Sequence, residues 1–147
     1  MIQWSHDHEG WASGDMLGAL ARADAAQLKT FADPLIAHLG EIEVIENRTG
    51  LVMLPMRDTA QGTHFHLGEI LMSEARISVD GIEGYGMRRG RDLEAAMAMA
   101  VVDLAIAVGT ERAACLAFVQ SQIRTQENQD HAILCKVEAT RVNMETF

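Results

Sequence analysis

The sequence predicts an α+β fold: an antiparallel β-meander of four or five strands packed against helices, two N-terminal and two or three C-terminal. Three observations carry this. From 71 to 79, Leu71, Ala75, Ile77 and Val79 alternate with Glu74, Arg76 and Ser78, the period of a strand with one face on a core. Asp80 and Gly81 then separate that run from a second one at 82–87, and both residue types accept the positive φ of a hairpin turn. At Arg91 and Asp92 the spacing changes, and an alanine-rich helical run follows from Leu93 to Val108.

The elements can be justified in order. Residues 1–12 are polar, hold His6 and His8, and are expected to be flexible; a helix follows from Trp11 or Ser13 to Ala23, weakened by Gly14 and Gly18. Asp24 with Gln27 resembles a capping box and starts a second helix at Ala25, which Asp33-Pro34 restarts or bends and Gly40 ends. Residues 41–46 alternate as a strand, 47–50 (Asn-Arg-Thr-Gly) read as a turn, and 51–56 read as its partner, with Pro55 marking an edge or an end. A loop at 58–62 leads to a short strand at 63–67. With 71–79 and 82–87 these make the meander. Gly84 and Gly86 share one face of the last strand, where missing side chains admit another backbone, a helix or a ligand.

Asp92 is placed to cap the 93–108 helix. Between Ala95 and Val108 only Asp103 is charged, so this helix is buried on all sides, in its own core or in a partner's. Gly109 ends it, and Thr110 is expected to cap a helix from Glu111 to about Thr125 with an apolar stripe of Cys115, Leu116, Val119 and Ile123. Residues 126–130 read as a polar break. The stretch 131–147 fits a strand or a helix, with the helix favoured by its Lys, Glu, Ala and Arg.

Composition limits the function. The 147 residues suit one domain, 48% hydrophobic and 22% charged, which is ordinary for a folded chain. A net charge of −9 speaks against nucleic acid as a partner, because a phosphate backbone needs a basic face. Cys115 and Cys135 have neither metal nor redox spacing, and no leader-like or membrane-spanning run is visible, so a cytoplasmic location with no membrane partner is expected.

Little here reads as catalytic. No phosphate-binding glycine loop, dinucleotide fingerprint, nucleophile elbow or zinc-type spacing occurs, so no catalytic and no metal residue is assigned. His64 and His66 share a strand face without an obvious third ligand, and read as solvated. The one candidate site is Arg88, Arg89 and Arg91 beside a helix N-terminus, three forked cations suited to a phosphate or to a partner's carboxylates. Pairing with carboxylates of the same chain, Asp92 among them, competes with that reading.

The run ENRTGL, then FHLGEILMSEARISVDGIEGYGMRRGRD, the alanine-rich helix to Asp103 and the closing EATRVNMETF resemble PhnG, the G subunit of the carbon–phosphorus lyase core complex. The likeness runs from about Met16 to the end. It departs at Asn143, Met144 and Glu145, where the family commonly carries an acidic residue and aromatics. The resemblance implies a hetero-oligomer with the H, I and J subunits and an accessory ATP-binding-cassette-like subunit. It implies an accessory role while the ribose triphosphate moiety of ATP is transferred to an alkylphosphonate and adenine is released. ATP would be the substrate of the complex, with no cofactor bound by this subunit. The competing expectation is a stand-alone α+β protein that binds a small ligand or a metal.

Overall fold

The computed structural model describes residues 13–142. The expectations for His6, His8, Trp11 and the 143–147 tail lie outside the described residues. Four helices and three strands follow in the order α1 (Ser13–Arg22), α2 (Ala25–Leu39), β1 (Glu43–Arg57), β2 (His64–Val79), β3 (Ile82–Arg89), α3 (Leu93–Val108) and α4 (Arg112–Ala139). The strands form one antiparallel meander in the order β1-β2-β3.

The α+β class stands, but the strand count is three among the described residues rather than four or five. The expected turn at 47–50 does not exist. Asn47, Arg48, Thr49 and Gly50 pair in succession with Ala75, Glu74, Ser73 and Met72. Neither Asn47 nor Gly50 takes a positive φ, so nothing reverses the chain there. The segments expected at 63–67 and 71–79 are likewise one strand, because Gly68, Glu69 and Ile70 pair with Leu54, Met53 and Val52. A register shift between Leu54 and Pro55 absorbs the irregularity. The real reversals lie at 58–63 and 80–81. In the first, Asp58 accepts from the backbone N–H groups of Ala60 (2.6 Å) and Gln61 (3.1 Å) and Gly62 sits at φ +70°. In the second, Asp80 and Gly81 have φ of +51° and +82°.

Two further expectations need correction. The C-terminal helices number two, because α4 runs unbroken through the supposed break at 126–130. Thr110 is not its cap. Its N–H, like that of Gly109, donates to the carbonyl of Ala105 and closes α3, while Glu111 occupies the cap position at φ +48°. α2 also passes through Pro34 without a restart.

The core is built on α3, which answers the question its composition posed. Ten of its sixteen residues are buried, and it packs on β3, β2, α2, α4 and α1. Its apolar sides face this chain's own core. Leu104 and Ile106 are sealed there, each worth roughly 1.5–3 kcal/mol. Asp92 caps it, its carboxylate accepting from Ala95 N–H at 3.0 Å.

Candidate functional site

The glycine–arginine strand β3 lies against α3. An added Cβ on Gly84 would stand 2.4 Å from the Ala100 carbonyl oxygen, and one on Gly86 only 2.1 Å from that of Ala96. The glycines therefore admit a helix backbone. β3 continues past Met87 to Arg89, and successive side chains of a strand point to opposite faces. The expected arginine trio is thereby divided.

Arg88 points to the helix layer, half-buried, where its guanidinium donates to the carbonyls of Leu20 and, at 2.6 Å, Ala23. α1 ends there, and last-turn carbonyls have no partner within their own helix. Burial pulls the Arg88 pKa down, and Asp92 and Asp24 act against it. Arg89 and Arg91 are exposed. Asp92 pairs with Lys29 at 2.9 Å, tying α2 to the start of α3 and holding the Asp92 carboxyl below its usual range.

Residues that the sequence reading passed over complete this joint. Gln126, buried, donates to the Ala19 carbonyl at 2.9 Å, and Gln122, also buried, accepts from Asp24 N–H at 3.3 Å and donates to Gln27 Oε1 at 2.8 Å. Gln27 thus faces α4 instead of closing a reciprocal box with Asp24, although its own N–H does reach Asp24 at 2.9 Å. The signal was the spacing of Gln122 and Gln126 four apart, on the stripe that continues from Cys115 and Val119.

A second polar group occupies the sheet face away from α3. Glu74 accepts from the Tyr85 hydroxyl at 3.0 Å and from Arg48 Nε at 3.0 Å, and Glu46 meets Arg48 at 3.0 Å. Burial first, then the Glu74 hydrogen bond, pushes Tyr85 up to about 12. Burial works to raise Glu74 as well, but the hydrogen bonds from Arg48 and Tyr85 leave it lowered. Arg76 Nε is buried beside them with no hydrogen-bond partner among the described residues. Asp103, the single charge in the body of α3, accepts from Tyr85 N–H at 2.9 Å.

A groove of about 770 Å³ runs between α2 and α4, lined by Phe31, Pro34, Leu35, His38, Ala114 and Phe118. The two phenylalanine rings stack at 4.3 Å. Among the described residues its walls hold no arginine or lysine, so a phosphate finds no guanidinium or ammonium partner there. Cys115 is buried and its thiol is pushed up to about 11, by burial and then by Glu111, which disfavours the reactive thiolate. His64 and His66 are exposed on one face of β2, opposite Arg57 and Pro55. Among the described residues no group of three or more His, Cys, Asp or Glu gathers for a metal, and no helix is long and apolar enough to cross a membrane.

The chain matches a family model described as phosphonate metabolism protein PhnG over residues 14–147. No curated protein matches it.

Proposed function

We propose a function from one premise: the chain belongs to the PhnG family and has its role in phosphonate metabolism. In our reading it is an accessory subunit of the cytoplasmic carbon–phosphorus lyase core complex, assembled with the H, I and J subunits. It supports transfer of the ribose triphosphate moiety of ATP to an alkylphosphonate, with release of adenine, in concert with the accessory cassette-type subunit. Catalytic groups then come from the partners, and this chain supplies structure and contact surface.

The observation that carries the subunit reading is where the apolar surface lies. Leu51, Val52, Met53, Met56, Phe65 and Leu67 are exposed along β1 and β2, and Ile133, Leu134 and Val137 along the last turns of α4. Lone apolar residues on a surface are ordinary, but runs of them mark interfaces. Arg89 and Arg91, both exposed, remain our candidates for a phosphate or partner contact.

Reconstitution tests this. Co-expression with the H, I and J subunits is expected to give a stoichiometric complex, and adding the cassette-type subunit, ATP and methylphosphonate is expected to release adenine. A partner set that works equally well without this chain, or adenine release by this chain alone, would defeat the reading.

A further inference from the structure

The chain's least self-sufficient part is the far half of the β1–β2 pair. β3 pairs only with Met72–Val79 of β2, so beyond Met72 two strands run on with no third beside them among the described residues. On β1 the stretch TGLVMLPM, 49–56, carries no charge, and opposite it β2 offers Phe65, Leu67, Ile70 and Leu71. Register and alternation divide these side chains. Leu51 and Met53 fall on the side where Ala75 and Ile77 meet the core, and Val52 and Leu54 fall on the other. Both faces of the ribbon therefore carry apolar side chains, with Leu51 63% and Val52 42% exposed, and Glu69 opposite Met53 is the one carboxylate among them. Among the described residues β1 is an edge strand, and β2 beyond Leu71, whose carbonyl accepts from Gly90 N–H at 2.8 Å, has no strand on its outer side. A two-stranded ribbon in water is marginal by itself.

We propose that this ribbon is an arm that inserts into a cleft of a different polypeptide, which covers both of its faces with apolar walls and offers backbone groups to at least one edge. The inference rests on the subunit reading and names the surface that reading leaves open. Two other occupants fit less well. A bilayer would cover the faces but leave the edge N–H and C=O groups unpaired in hydrocarbon, which an open strand edge does not survive. A second copy would offer the same two-stranded ribbon, which can lie against one apolar face but provides no cleft to cover both.

The test uses the full chain with its co-purified H, I and J subunits. A photo-crosslinking residue at Leu51 or at Val52 is expected to join the chain to one of those subunits from either position. Leu51→Asp and Val52→Asp are each expected to weaken assembly by about tenfold or more, while Leu51→Met and Val52→Ile assemble normally. The exposure of both residues should leave the melting temperature of the isolated aspartate variants near that of the wild type. Wild-type assembly that neither aspartate variant weakens, with crosslinks absent, overturns the ribbon assignment alone. Failure of the wild-type chain to assemble overturns the subunit reading and the inference with it. A defined homodimer lost on Leu51→Asp, or ribbon-dependent binding to phosphatidylcholine–phosphatidylglycerol vesicles, overturns the choice of occupant.

Discussion

Tyr85 offers the most direct reading of a single side chain, because it is the only tyrosine in the chain. Its phenol is pushed from 10.0 to about 12, by burial first and then by the hydrogen bond to Glu74. A raised folded-state value favours the protonated phenol. Its contribution to stability is therefore complete below about pH 10 and is lost as pH climbs from there through about 12. Tyrosinate absorbance should titrate late in native protein, return to an ordinary value in urea, and move earlier in Glu74→Gln; a native midpoint near 10 would refute the environment described. Arg88 tests the division of the arginine trio. Arg88→Ala removes the guanidinium from the Ala23 carbonyl and from that of Leu20, which keeps Ala23 N–H at 3.3 Å, and is expected to cost about 1–3 kcal/mol in urea denaturation. Arg89→Ala and Arg91→Ala, both on exposed residues, should stay within about 0.5 kcal/mol. Equal losses at all three would contradict the geometry. Residue types in the loop were legible from sequence, but their directions were not. Reading the strand as ending at Met87 put Arg88 and Arg89 together in a loop, whereas its continuation to Arg89 sends them to opposite faces.

The contact of β3 with α3 depends on two glycines and a row of alanines. In Gly86→Ala the new methyl would meet the Ala96 carbonyl oxygen at 2.1 Å, and backbone cannot swing aside as a flexible side chain can. Chemical denaturation should show a loss of about 1–3 kcal/mol, the usual cost of overpacking. Gly14→Ala, with nothing within 4 Å of the added methyl, should be neutral or stabilising. An unchanged midpoint for Gly86→Ala would mean that strand and helix are not so close. Elements with a strong local signal were readable: the Asp92 cap, the Asp80-Gly81 turn and the period change before Leu93 all stand. The misread ones turned on pairing at a distance. Asn47–Gly50 has turn composition, yet its neighbours on β2 hold it extended, and the polar 126–130 stretch stays helical with Gln126 buried against α1. Such partners are far off in sequence, and the one local trace was the apolar stripe of Cys115 and Val119 running on through Gln122 to Gln126.

At the scale of the whole molecule, the apolar load is divided in a way composition alone did not indicate. The run Leu93–Val108 left open whether its own core or a partner's would bury it, and this chain covers nearly all of it, leaving Leu93 and Val108 at the ends partly in water. The uncovered surface is instead on the β1–β2 ribbon and the last turns of α4. Folding and assembly are therefore expected to be separable, since the buried residues of α3 are covered within this chain and the exposed segments add little to that core. The isolated chain is expected to unfold as one cooperative unit, with α3 amides exchanging most slowly, near the global free energy. Ribbon amides at 50–56 and 65–70 should exchange far sooner, because few buried contacts oppose their opening. Partner binding would then stabilise by mass action, about 2.7 kcal/mol at a hundredfold excess over Kd, and shift the melting temperature by several degrees. Native-state hydrogen exchange on the isolated chain decides the matter. Fast exchange throughout α3 would mean that the core forms only in company, and would return that helix to the interface.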